Sequence, residues 1–281
     1  MAPPYKLCHV QGKVVGLFAT ETIKRGTRII EEAPLLYLTP HERLNESREV
    51  SRKVDQLPAF DAQVFDGLHC DAGALDDVNN RYLLEYYKEA MTQARRMAQS
   101  TSDAIEEDAL NASVEQTSAT AIRSLAIFLT NATEMEAGAG TGVFTIYSRM
   151  NHACSPNTSR RFNGKLGKLT VHTVRQITKG EELTTTYIAT PARIRKRQRA
   201  VRLKKGRGFN CTCRTCTGPK AANSGQRRAK MQKLDERLDR YEDEQASKRE
   251  SASERQEDAK EALRIAKEIL TLLHDEGLMN C

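Results

Sequence analysis

The chain contains 281 residues, of which 39% are hydrophobic and 29% are charged, and it carries a formal net charge of +7. This composition can fill a hydrophobic core, which excludes a chain that is disordered throughout. No apolar run approaches the roughly 20 residues of a membrane span, and the N-terminus lacks the apolar core of a secretion signal. Seven cysteines in such a chain favour metal binding over disulfides and predict an intracellular protein of the nucleus or the cytoplasm.

The N-terminal 40 residues have the pattern of β structure. Apolar residues from Val14 to Ala19 predict one strand, and residues 27–30 predict another. The segment between them, Ile23–Gly26, ends on a glycine and predicts a tight turn. The same Ile-x-x-Gly pattern recurs at Ile177–Gly180, which indicates that two β segments use one kind of turn.

Residues 41–142 change character and predict a mainly helical insert. Residues 100–103 are a predicted break between two helical stretches, and residues 122–129 are apolar on nearly every side, which predicts burial. Helical spacing is clearest for Leu83, Tyr87, Met91, Ala94 and Ala98.

The second half of the chain returns to β structure and then becomes helical again. Residues 169–174 and 181–188 predict strands, and residues 224–279 predict two amphipathic helices that form a hairpin or a packed tail. The chain is therefore expected to be an α+β protein in five parts, with boundaries at residues 1–40, 41–142, 143–190, 191–218 and 219–281.

The segment 193–207 holds nine lysines and arginines and no acidic residue. One interpretation is the solvated face of a helix, with Ile194, Val201 and Leu203 on its buried side. A second is a nuclear localisation signal, and a third is a surface that attracts an acidic substrate or nucleic acid. The segment lacks interleaved aromatic residues for base stacking, so nucleic acid is not an expected partner.

Cysteine spacing gives the strongest local indication of a bound ligand. Cys211, Cys213 and Cys216 fall within six residues as Cys-x-Cys-x-x-Cys. Zinc takes about four thiolate or imidazole ligands in a tetrahedron, so a fourth ligand must come from elsewhere. Cys154 is the best candidate because it lies in a polar, turn-rich segment. A closed site of four cysteines would be structural, with no open position for catalysis.

Further motifs accompany these cysteines. Residues 151–157 have the sequence Asn-His-Ala-Cys-Ser-Pro-Asn, residues 180–183 have Gly-Glu-Glu-Leu, and Tyr187 follows four residues later. Near the N-terminus, residues 16–19 have Gly-Leu-Phe-Ala, followed by Ile-Lys-Arg-Gly at residues 23–26. In this order the motifs resemble SET-domain protein lysine methyltransferases, and they are most similar to the SMYD branch and its fungal SET-domain relatives.

The resemblance covers about residues 10–40 and 143–218. It implies curved SET-domain β-sheets with a knot-like threading of the C-terminal part, followed by a post-SET zinc loop and, here, a helical tail. In the SMYD branch a MYND zinc module interrupts the SET domain. The insert at residues 41–142 offers only His69 and Cys70 as soft ligands, so we expect neither that module nor its partner binding.

The resemblance also implies S-adenosylmethionine as the methyl donor and assigns individual residues. Tyr187 matches the active-site tyrosine. The post-SET ligands of a structural zinc ion match Cys154, Cys211, Cys213 and Cys216. The cofactor contacts match Lys13 beside the cofactor's carboxylate, Val15, Gly16, Asn151, His152, Tyr187, and Phe209 near the adenine.

The expected function is methylation of a lysine amine in a protein, such as a histone or a ribosomal protein, without a membrane partner. The sequence departs from the family at one point, because the first glycine of the Gly-x-Gly opening is replaced by Val14. This departure favours an alternative of another class, a catalytically weak or inactive SET-like module that zinc stabilises and that binds partner proteins. The intact Asn151, His152, Tyr187 and Phe209 favour the enzyme.

Overall fold

A computed structural model describes residues 2–10, 13–100, 107–136, 138–188, 194–247 and 252–278. Helices and small sheets both contribute, which confirms the predicted α+β class. The strands of the described residues are β1 (Tyr5–Val10), β2 (Lys13–Ala19), β3 (Arg28–Glu32), β4 (Leu36–Leu38), β5 (Thr133–Glu134), β6 (Thr141–Val143), β7 (Asn151–His152), β8 (Thr158–Asn163), β9 (Lys168–Thr173) and β10 (Glu182–Thr185).

These strands form three small sheets, in the orders β1-β2-β10-β7, β3-β9-β8 and β4-β6-β5. The first two sheets enclose one apolar core, because alternate side chains of their strands point inward. The third sheet packs against the helical insert instead. Side chains in the core of the first two sheets include Leu17, Ile30, Phe144, Leu169, Ile177 and Leu183.

The two Ile-x-x-Gly turns lie side by side. Ile23 and Ile177 form an antiparallel bridge, with each N–H donating to the other residue's carbonyl oxygen at 2.9 Å. Gly26 and Gly180 end these turns at φ values of 80° and 83°. This left-handed region favours glycine, so both β segments use the same turn, as the repeated pattern predicted.

The α-helices of the described residues are α1 (Glu46–Asp55), α2 (Ala59–Asp66), α3 (Ala72–Ser100), α4 (Glu107–Asn131), α5 (Lys196–Arg207), α6 (Arg214–Thr217), α7 (Ala221–Ser247) and α8 (Ala252–Asp275). Helices α1 to α4 occupy the predicted helical insert. The predicted break at residues 100–103 lies almost entirely outside the described residues. None of the described helices is both long enough and apolar enough to cross a membrane.

The apolar stretch at residues 122–129 is buried, apart from Arg123 and the partly buried Leu129, as its composition predicted. The helical spacing that begins at Leu83 correctly predicted α3 but does not mark its buried side, since Leu83 is 46% exposed. Val78 and Tyr86, on a different face, are buried against α4 and its neighbours. The periodicity of apolar residues therefore predicted the helix, while packing against its neighbours determines which face is buried.

Helix α5 lies between strand β10 and the cysteines at residues 211–216. Ile194, just before the helix, and Leu203 are buried, as predicted. The prediction that Val201 is buried is wrong, since its side chain is 59% exposed. Arg199 is buried instead, because its guanidinium lies against cysteine sulfur atoms.

Candidate functional site

The segment 151–157 lies against β10. Strand β7 pairs in parallel with β10, which places Asn151 beside Thr184 and His152 beside Thr185. Asn157 continues this attachment, because its Oδ1 accepts from the Thr184 N–H at 2.7 Å and its Nδ2 donates to the Glu182 carbonyl at 2.8 Å. These bonds bring the Asn-His motif to the strand that leads to Tyr187.

A cavity of about 2280 Å³ opens beside this strand pair. It brings together five predicted cofactor residues and two of the cysteines, Cys211 and Cys213. Lys13 is the first residue of β2, which pairs with β10 in the same sheet. Its side chain lies outside the described part of the structure. The five predicted cofactor residues that line the cavity are Val15, Asn151, His152, Tyr187 and Phe209.

Gly16 allows a close approach between β2 and Asn151. A Cβ atom at position 16 would lie 2.8 Å from Asn151 Nδ2 and 2.8 Å from Glu182 Oε1. The Asn151 amide needs this position, because its Nδ2 donates to the Val15 carbonyl at 2.8 Å and to Glu182 Oε1 at 2.7 Å. Close packing against Asn151 and Glu182 therefore explains why position 16, the second glycine of the Gly-x-Gly motif, is a glycine in this chain.

Val14, which replaces the first glycine, lies within strand β2. A strand backbone suits a β-branched residue without strain. The backbone at this position therefore does not require glycine, which weakens the observation that favoured an inactive module. The side chain of Val14 is outside the described residues.

Tyr187 is held by its hydroxyl and by its ring. Its hydroxyl donates to the Met150 carbonyl at 2.7 Å, and its ring contacts His152 and Phe209 at centroid distances of 5.4 and 6.3 Å. Burial raises the pKa of Tyr187 and outweighs the nearby Arg207 guanidinium. The hydroxyl therefore stays protonated and acts as a hydrogen-bonding group.

His152 connects this tyrosine to the cysteines. The Tyr187 N–H donates to His152 Nδ1 at 3.1 Å, so the proton of the neutral imidazole is assigned to Nε2 by the network. That nitrogen lies 3.4 Å from Cys154 Sγ. The candidate active site and the cysteine cluster thus share one buried side chain.

The four predicted metal ligands lie together, with all sulfur atoms within 4.8 Å of one another: Cys154, Cys211, Cys213 and Cys216. Cys154 Sγ lies 3.9 Å from Cys211 Sγ and 3.6 Å from Cys216 Sγ. A tetrahedral zinc ion with bonds of about 2.3 Å requires sulfur atoms about 3.8 Å apart. The donor set and its spacing therefore fit such an ion.

A bound cation would also offset the repulsion among the four cysteine thiolates. Hydrogen bonds with Cys211 and the other two cysteines, together with burial, raise the pKa of the Cys154 thiol. Four thiolates this close would repel one another unless a divalent cation lay between them.

A family model described as the SET domain matches residues 14–188. The chain belongs to the SET-domain family. It is 31% identical over 213 residues to histone-lysine N-methyltransferase set5 of Schizosaccharomyces pombe, covering 76% of this chain and 50% of that protein. It is 37% identical over 76 residues to protein-lysine N-methyltransferase SMYD4 of Mus musculus, covering 27% of this chain and 9% of that protein.

This SET-domain chain thus spans about half the length of the yeast relative and a smaller share of the mouse relative. Among solved structures, Rubisco LSMT bound to AdoMet aligns with 74% of this chain and 52% of its own, at 13% identity and a TM-score of 0.43.

Sequence reasoning missed two buried arginines beside the SET-domain cysteines. Arg199 is 1% exposed, and its Nε donates to Cys154 Sγ at 3.2 Å. No carboxylate of the described residues pairs with it. A buried cation requires a compensating anion, so the thiolates of the cluster are its counter-charge. Only the helical spacing of Arg199 relative to the buried Leu203 could have indicated this position from the sequence.

The second arginine, Arg228 of α7, fastens the helical tail to the SET domain. Its Nη2 donates to Ser155 Oγ at 2.7 Å, and its Nε donates to Glu276 Oε2 at 2.8 Å. Burial alone would raise the pKa of Glu276, but hydrogen bonds from Ser224 and the charge of Arg228 hold it below its ordinary value. Leu273 of α8 lines the cavity, so the tail supplies part of the cavity wall.

Proposed function

We propose that this SET-domain chain is a protein lysine methyltransferase with S-adenosylmethionine as its methyl donor. The observation that carries the proposal is the single cavity that joins Asn151, His152, Tyr187 and Phe209 next to the four-cysteine cluster. The names of the yeast and mouse relatives support the same reaction.

The chemistry of the reaction matches what these residues offer. A free lysine has a pKa near 10.4, so only about one amine in 10³ is neutral at pH 7. A mostly apolar channel favours the neutral amine, because burial disfavours the charged form. The Tyr187 hydroxyl and the Met150 carbonyl, already 2.7 Å apart, would orient that amine for in-line attack.

The cavity residues fit the proposed cofactor. S-adenosylmethionine, when bound, supplies a methyl group already activated on a sulfonium, so the protein needs mainly to position the reactants and exclude water. Phe209 offers an aromatic face for the adenine, and β2 offers the Val15 backbone at the cavity wall. Asn151 holds that backbone in place.

We propose a structural zinc ion at Cys154, Cys211, Cys213 and Cys216. All four positions are taken by protein ligands, so the ion has no open site for chemistry. Its role is to hold the loop that carries Phe209 and, through His152 and Tyr187, to hold one wall of the cavity.

Arg199 is expected to govern how tightly this zinc ion is held. Zinc with four thiolates has a net charge of about −2, and the buried guanidinium offsets part of it. We expect Arg199→Gln to weaken zinc affinity by about 10-fold to 100-fold, measured by competition with a chromogenic chelator. Arg202→Gln, on the exposed side of the same helix, is the control; equal affinity in the two variants would contradict the assignment.

We propose histones as the first substrate class to test, because the yeast relative is named a histone-lysine methyltransferase. A ribosomal or another lysine-presenting protein is the alternative substrate. A nuclear or cytoplasmic location follows from this proposal.

The alternative function, an inactive zinc-stabilised interaction module, rests on Val14. Calorimetric titration of S-adenosylhomocysteine into the zinc-loaded protein separates the two functions without a known substrate. We expect saturable binding that Asn151→Ala abolishes, because the Val15 carbonyl and Glu182 then lose their shared amide partner. Asn163→Ala, at the β8–β9 turn, is the matched control. No binding by the folded wild type would favour the inactive module.

A further inference from the structure

Helix α5 has an outer face that is rich in lysine and arginine and that pairs with no carboxylate of the described residues. The buried side of the helix holds Arg199 and Leu203. The other residues of the helix are exposed, apart from the partly buried Ala200 and Arg207, and none of them is acidic. We define the basic face of α5 by its five exposed cations, Lys196, Arg197, Arg202, Lys204 and Lys205.

No carboxylate of the described residues neutralises these five cations. Within the described ranges none of them forms an ion pair, and Lys204 donates only to the Gly208 carbonyl at the end of the helix. By contrast, the exposed cations of α7 and α8, such as Lys230 and Arg264, pair with glutamates. The basic face therefore keeps a concentrated positive charge that attracts a polyanion.

The residue composition of the face indicates whether an acidic protein or a nucleic acid is the better partner. The cores of protein–protein interfaces are rich in aromatic residues and poor in charge. The basic face has no aromatic residue, and its one exposed apolar side chain is Val201. Interfaces with duplex nucleic acid are polar and strongly positive, and most of their contacts go to phosphates. The face resembles the second kind of interface.

The length of the face suits a duplex backbone. At about 1.5 Å per residue, Lys196 and Lys205 lie about 14 Å apart along the helix. A duplex presents one phosphate charge for about every 1.7 Å of its axis, so several phosphates lie within this span. The missing aromatic residues, which argued against nucleic acid at the level of sequence, exclude base stacking but not phosphate contacts.

We propose that the basic face of α5 binds the phosphate backbone of duplex nucleic acid. The C-terminal end of α5 borders the cavity, where Gly206 and Arg207 are lining residues. A bound duplex would therefore lie beside the candidate active site, and a protein substrate carried on that duplex would be brought to it. The binding goes beyond the proposed function and needs neither the cofactor nor methyl transfer.

Fluorescence anisotropy with a labelled duplex of about 20 base pairs, measured between about 50 and 200 mM salt, tests the proposal. With five phosphate contacts, the slope of log affinity against log salt is expected near −4.5. A triple variant should weaken binding at least tenfold and reduce the magnitude of that slope by about 3. It combines the substitutions Arg197→Gln, Arg202→Gln and Lys205→Gln.

The control variant removes the same number of exposed cations elsewhere, as Lys6→Gln, Lys24→Gln, Lys179→Gln, and should bind like the wild type. Equal weakening by the control would show that only net charge matters and would overturn the proposal. Tighter binding of a poly-glutamate peptide than of the duplex would assign the face to an acidic protein. Because S-adenosylhomocysteine titration reports separately on the cofactor site, the two proposals fail independently.

Discussion

Replacing Tyr187 with phenylalanine is expected to slow methyl transfer about 100-fold while leaving S-adenosylhomocysteine binding largely intact. The hydroxyl and the Met150 carbonyl form the polar point at which the lysine amine would be oriented, and misplacing a reactant by a small distance costs about this much. The measurement is single-turnover transfer from radiolabelled S-adenosylmethionine to core histones, with calorimetry for the cofactor.

Tyr86→Phe is a matched control for this substitution. Tyr86 also donates its buried hydroxyl to a backbone carbonyl, that of Ser47 at 2.9 Å, but it lies in the helical insert. Both variants should lose about 1 kcal/mol of stability through the missing hydrogen bond, and only the Tyr187 variant should lose activity. Equal turnover by Tyr187→Phe and the wild type would remove the proposed role, and no transfer by the wild type would contradict histones as the substrate.

Replacing Cys213 with alanine is expected to remove the bound zinc and to loosen the loop that carries Phe209. Three remaining thiolates bind the ion far more weakly, and metal binding contributes directly to local folding. The elemental zinc content of the purified protein should fall from about one ion per chain to near none. Cofactor affinity should fall as well, because Cys154 contacts His152, which in turn receives the Tyr187 N–H.

Cys70→Ala is the control, since Cys70 is half-buried and lies outside the cluster. It should retain zinc, and unchanged zinc in Cys213→Ala would contradict the four-cysteine site. Acidification should mimic the Cys213 variant, because protons compete with the ion for the thiolates. Zinc affinity should therefore fall as the pH falls.

Local patterns predicted a large part of this fold. The glycine-terminated turns at Ile23 and Ile177 and the buried stretch 122–129 follow from short-range preferences, which a sequence displays directly. The division into five parts and the individual site residues stay predictions. The cysteine spacing is also local for three of its four ligands, and only Cys154 had to be assigned across a long separation.

Burial of charged residues was not predictable in the same way. Arg199 and Arg228 have the same residue type as their exposed neighbours, and only the packed structure shows that one faces sulfur atoms and the other faces Ser155 and Glu276. The wrong assignment of Val201 has the same origin. Hydrophobicity alone placed it inward, while the charge of the cysteine cluster draws an arginine to that side of α5.

The sequence by itself determined the family, the α+β class and the residue types that the chemistry requires, because motif order and periodicity are properties of the chain. Only the tertiary structure decided which residues meet. The pairing of β7 with β10 places His152 between Tyr187 and Cys154. The tertiary structure also leaves the basic face of α5 without carboxylate partners among the described residues. The contacts of β7 with β10, and of His152 with Tyr187, join residues more than 30 positions apart, so pairing and packing rather than local preference set them.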